Sequence, residues 1–173
     1  MIFVLDGLEA VCIAQREGLG LMDLTARVGH RYLLHAGAAT KAILAFQPDE
    51  FVDAVVAKHG MPAYTKHTIT DLPTLKIRLA QIRQVGFAFS NEDVQAYASA
   101  VAVPIYNRDD RVTAAMCVSG PNDRFTAEKR AHAVAILAAV CDRISAAQGA
   151  ATLPGTRIAR SGAIASGVLA DLG

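Results

Sequence analysis

ASAVAVPIYNRDDRVTAAMCVSGP, residues 98–121, is the stretch that decides the fold, because it writes a β-hairpin whose faces differ in chemistry. Side chains alternate sides along a strand. Val112, Met116 and Val118 therefore share one face of the second strand, and Thr113, Ala115, Cys117 and Ser119 share the other. On the first strand Val101, Val103 and Ile105 oppose Ala100, Ala102 and Pro104, and the polar turn 107–111 joins the two. The larger apolar side chains are expected to face a core. The small, weakly polar wall leaves volume that a closely approaching helix or a ligand must fill, since interiors tolerate few voids. The pattern leaves those two readings level.

Working outward, apolar strand patterns cover residues 2–5 and 10–14, with the tight-turn pair Asp6-Gly7 between them. A third strand is expected over 21–26. The chain opens directly on a strand pattern, which suggests a domain upstream. Helices are expected over 38–46, from Pro48 to Gly60, from Asp71 to Gly86 with Pro73 in the first turn, and from a Thr126 cap to Gly149. A short strand is expected over 87–90. Hairpins outnumber βαβ units, so the expected class is α+β, an antiparallel sheet flanked by helices. Residues 1–149 form the expected domain. The Ala- and Gly-rich stretch 150–173 reads as a mobile tail in preference to a weak docking helix.

Composition narrows the function. With 173 residues, 53% hydrophobic and 19% charged, the chain can bury a substantial core. Its mean hydropathy of +0.30 points to a subunit interface, hence a homodimer or homotetramer. A formal net charge of +1 gives no electrostatic footprint for nucleic acid. Cys12, Cys117 and Cys141 form no C-x-x-C pair, which fits isolated thiols in a reducing cytoplasm. No apolar run spans a bilayer, and no signal-peptide pattern is present. Catalytic glycine and serine motifs are absent too. His35, His59, His67 and His132 lack metal-ligand spacing, so no metal and no cofactor is expected. Residues 90–93, SNED, read equally well as a solvated turn. Glu9, Asp23 and the helical Lys and Arg residues read as surface charge.

Four segments occur in a telling order: LHAGAATKAILA (34–45), DLPTLKIRLAQIRQVGF (71–87), SNEDVQAYASAVAVPI (90–105) and AAMCVSGPNDRF (114–125). Together they resemble the C-terminal effector-binding domain of the IclR family of bacterial transcriptional regulators. The resemblance implies a GAF-like or profilin-like fold, no catalytic residues, and a small-molecule pocket between the sheet and a helix-loop layer. It also implies DNA binding only through an N-terminal winged helix-turn-helix, expected to be absent from this chain. The family holds an oxo-acid on amides opening the helix after L-H-A, here Ala38 and Ala39. Its other polar contacts fall at Ser90, Ala100, Cys117 and Ser119, and only Ser119 keeps the family type. The loss of polar partners shifts the expected effector toward an aromatic or partly apolar carboxylate. Met22, Leu34, Tyr97, Ala98 and Met116 are candidates for the lining. Tyr97 replaces a loop glycine, and Thr40 stands where the helix pattern has another. The competing readings are a free-standing GAF-like redox enzyme using cysteines, and a ligand-free dimerisation module.

Overall fold

A computed structural model describes residues 1–16, 18 and 26–162. Strands β1 (Ile2–Asp6), β2 (Glu9–Ala14) and β3 (Arg31–Leu33) precede helices α1 (Ala38–Leu44), α2 (Asp49–His59) and α3 (Leu72–Val85). Strands β4 (Ala88–Asn91), β5 (Ala98–Tyr106) and β6 (Val112–Pro121) follow, then α4 (Ala127–Ala147) and α5 (Pro154–Ser161). The six strands form one antiparallel sheet in the order β3-β2-β1-β6-β5-β4. The architecture is α+β, with a helical layer on each face.

The hairpin does what its alternation requires. Val101, Val103, Ile105 and Ala114 pack against Val134, Leu137, Ala138 and Cys141 of α4. The opposite face, Ala102, Ala115 and Cys117 with Ala88 of β4, packs with Ala38, Ala39 and Ala42 of α1. Alanines on both partners remove side-chain bulk from the contact, and α1 settles onto the middle of the sheet. The α4-facing side of β6 is covered unevenly, however. Met116 is only half-buried against α4 and Val118 is 42% exposed, so the expected core face ends before the strand does.

Helix ends follow the sequence signals. Asp71 accepts a hydrogen bond from Thr74 N at 2.9 Å, and Gly86 ends α3 with φ 88°. Thr126 caps α4 through Lys129 N at 3.4 Å. The strand expected over 21–26 lies outside the described residues except for Ala26, which is not in a strand; among the described residues the third strand is β3, too short to announce itself by alternation. One expectation needs correction. The stretch expected as a mobile tail contains α5, whose Ile158 is buried among Val85, Phe87 and the α4 residues. A Cβ on Gly86 would lie 2.9 Å from the Ile158 side chain, so this glycine serves both its left-handed φ and the approach of α5. Residues 163–173 lie outside the described residues. No helix among the described residues is long and apolar enough to cross a membrane.

Candidate functional site

The small-residue face of the hairpin is shared. Its middle carries α1; beyond the first turn of that helix, a cavity of about 220 Å³ opens between helix and sheet. The floor is Ala98 and Ala100 of β5 with Cys117 and Ser119 of β6. Ala36, Gly37, Ala38, Ala39 and Thr40 form one side, Ser90, Val94 and Gln95 another, and Phe3, Ala26 and Tyr32 a third. An apolar cavity of roughly 150 Å³ holds benzene. This one therefore fits a single ring or a short chain with a few polar substituents.

The expected site residues distribute unevenly. Ala38, Ala39, Ser90, Ala98, Ala100, Cys117 and Ser119 lie on the cavity wall. Leu34 is wholly buried in the core beneath α1 and does not reach the cavity. Met116 points to the α4 side of the sheet, as alternation from Cys117 requires. Tyr97 is 73% exposed and off the wall. Its φ of 62° is nonetheless left-handed, a conformation that glycine takes at low cost and tyrosine does not. Met22 lies outside the described residues.

The polar frame of the cavity is a buried cluster that the sequence reading missed. Asp93 and Lys41, 4% and 3% exposed, form an ion pair at 2.5 Å between Oδ2 and Nζ. Asp93 Oδ2 also accepts from Gly37 N at 3.1 Å, and Oδ1 accepts from Ser90 Oγ. The Thr68 hydroxyl donates to Asp93 O at 2.7 Å, and the Thr65 hydroxyl to Glu92 O at 2.5 Å. Asn122 Nδ2 donates to Glu92 Oε1 at 2.5 Å. Residues 90–93 are therefore no solvated turn, and Lys41 is not surface charge. One carboxylate ties the start of α1 to the β4–β5 connection along the edge of the cavity. Burial alone would raise the Asp93 carboxyl, but the Lys41 ammonium, with the Ser90 hydroxyl and Gly37 amide, holds it below the usual carboxylate range. The available sequence signal was an absence: Lys41 is the one charged residue in 38–46, a helix with no polar face to carry it, and in the structure every residue of α1 is buried.

Other titratable groups beside the cavity are quiet. His35, 1% exposed, bonds Pro62 O through Nε2 at 3.0 Å and stacks on Tyr64 with ring centroids 5.7 Å apart. Nε2 must then carry the proton, and burial lowers the imidazole's pKa, so the ring is neutral and bridges two loops. Burial pushes the Cys117 thiol up to about 12, and Cys141 likewise to about 12. All three cysteines are free and buried. Such thiols are poor nucleophiles at neutral pH. Among the described residues no group of three or more His, Cys, Asp or Glu is placed to hold a metal ion.

Residues 2–146 match the family described as bacterial transcriptional regulator IclR, C-terminal. The HTH-type transcriptional repressor AllR of Klebsiella pneumoniae is 35% identical over 124 residues, 72% of this chain and 46% of the repressor. The chain thus spans about half the length of the curated relatives it matches. Among solved structures, the Thermotoga maritima IclR superposes with a TM-score of 0.82 at 30% identity, over 86% of this chain and 60% of that one. The inducer-binding domain of a PobR double mutant from Acinetobacter, solved as a complex with 3-hydroxybenzoic acid, gives a TM-score of 0.73 at 25% identity, over 83% of this chain and 85% of that one.

Proposed function

The chain belongs to the IclR family of bacterial transcriptional regulators, matching its C-terminal domain, and from that membership we propose that it senses a small-molecule effector in the cavity between α1 and the β5–β6 hairpin. The observation that carries this reading is the cavity itself. An α1 packed along the whole small-residue wall would have closed it; instead about 220 Å³ remains, walled by alanines with Met1, Phe3 and Val94 and by the hydroxyl-bearing Tyr32, Thr40, Ser90, Ser99 and Ser119.

The effector is a small, partly apolar carboxylate. No Lys or Arg side chain is among the lining residues, and the backbone amides of Ala38 and Ala39 are at hand for the anion. The occupied cavity favours one arrangement of α1 and the β4–β5 connection, which the Asp93–Lys41 cluster moves as a unit. That bias passes across a homodimer or homotetramer to a DNA-binding domain of the full-length regulator, in the cytoplasm. The size of the shift is limited by the effector's differential affinity for the two arrangements. Two rival readings are less well supported. The redox-enzyme alternative needs reactive thiols where the structure has buried, high-pKa ones, and a pure dimerisation module has no use for the cavity.

The test is thermal and urea unfolding of the chain against a panel of single-ring and short-chain carboxylates. A ligand at 100 times its Kd raises stability by about 2.7 kcal/mol. Ala100→Leu, which fills the floor, is expected to abolish that gain while the variant still unfolds cooperatively. A panel without a hit, together with no small molecule released on denaturing freshly purified protein, would overturn the proposal.

A further inference from the structure

Two hydroxyl groups on the cavity wall have their protons committed to the protein. Ser90 Oγ meets Asp93 Oδ1, an oxygen of the carboxylate paired with Lys41. A carboxylate oxygen only accepts, so Ser90 donates. Thr40 Oγ1 meets Ala36 O and, at 3.0 Å, Gly37 O. Carbonyl oxygens also only accept, so Thr40 donates as well. What both groups retain for the cavity is lone pairs.

These lone pairs are poorly served by solvent. Ser90 is 7% exposed and Thr40 4%, and both line the cavity. Ser90 pairs with Ala100 in the β4–β5 register, which puts its side chain on the same face of the sheet as the cavity floor. A ligand carboxylate set against these oxygens would place acceptor on acceptor. The Lys41 ammonium offers it no donor, because it is paired with Asp93 at 2.5 Å and Lys41 is not among the lining residues.

We propose that the hydroxyl oxygens of Ser90 and Thr40, on two walls of the cavity, make it an acceptor site, so that the effector carries a hydroxyl or N–H group toward one of them and its carboxylate elsewhere. This rests on the reading of the cavity as the effector site and narrows the chemical class to a hydroxy or amino acid of small size. A site built to bond a substrate hydroxyl discriminates strongly against analogues lacking it, because its own polar groups are then left unpaired.

Two matched sets of probes test this by calorimetry on the whole chain: benzoate, 3-hydroxybenzoate and 3-methoxybenzoate; butyrate, 3-hydroxybutyrate and 3-methoxybutyrate. In at least one set the hydroxy acid is expected to bind at least ~10-fold tighter than its parent and its methyl ether. Ser90→Ala is expected to shrink that preference to below about threefold. Should Ser90→Ala not fold, Thr40→Val provides the same comparison with side-chain shape retained. Binding in which neither set shows the hydroxy acid ahead of its parent and its ether overturns the acceptor subsite alone, as does a preference that survives the substitutions. Absence of binding by all six probes, together with a silent wider panel, overturns the effector-site reading and this inference with it.

Discussion

Replacing Lys41 by Met probes the cluster that frames the cavity. The substitution keeps the stem's volume and removes only the charge, leaving the Asp93 carboxylate 4% exposed with the Ser90 hydroxyl and the Gly37 amide as its remaining partners. Removing one member of a buried pair costs about 3–5 kcal/mol, because the survivor is a buried charge without compensation. With a urea dependence of about 2 kcal/mol per M, the unfolding midpoint should fall by roughly 1.5–2.5 M at pH 7. The pH dependence carries the sharper test. In the native protein the Asp93 carboxyl is held low, so its contribution is present above the ordinary carboxylate range and is lost as pH falls through the lowered folded value. In the variant, burial prevails and raises the carboxyl; the folded state then binds the proton first, and the deficit shrinks as the pH is lowered from 7 toward the carboxylate range. In the double variant Lys41→Met/Asp93→Asn the amide oxygen can accept from Gly37 N while its NH2 donates to Ser90 Oγ, so both partners are served without a charge and at least half the loss should be recovered. A single-variant cost below ~1 kcal/mol at pH 7, or a double variant no better than the single, would refute the account.

Three further outcomes are expected. At position 97, with φ 62° and the side chain 73% exposed, Tyr97→Gly should be more stable than Tyr97→Ala by about 1 kcal/mol in urea unfolding. Equal stabilities would mean that the loop does not hold the left-handed conformation. Ile158→Ala should cost about 2–4 kcal/mol, since the side chain is 2% exposed within the α4 core, whereas an undocked segment would lose less than ~0.5 kcal/mol. The native protein should react with a thiol reagent at pH 8 far more slowly than the urea-unfolded chain, because Cys117 and Cys141 are both pushed to about 12 and Cys12 is raised by burial. Rapid labelling of the folded form would reopen the cysteine-chemistry reading.

The sequence by itself determined the local and periodic features. The two-faced hairpin, the Asp71 and Thr126 caps and the glycine at the end of α3 are set by steric and hydrogen-bonding rules that act over a few residues, and they gave the α+β class, the elements around β5 and β6 and most of the cavity floor. Tertiary structure decided what depends on residues far apart in the chain. Lys41 and Asp93 are 52 positions apart, and each taken alone looks like a solvated charge; only the docking of α1 beside the β4–β5 connection removes water from both. Leu34 and Tyr97 left the cavity wall for similar reasons, one drawn into the core beneath α1 and the other turned outward by a positive φ. Ile158 has an unremarkable sequence context and is buried because Gly86 leaves room for it. Whether the small-residue wall would meet a helix or a cavity could not follow from alternation, which fixes a face but not how far along it a neighbouring helix extends. The α1 helix ends its approach short of Ala98, Ala100 and Ser119, and the space left there is the candidate site.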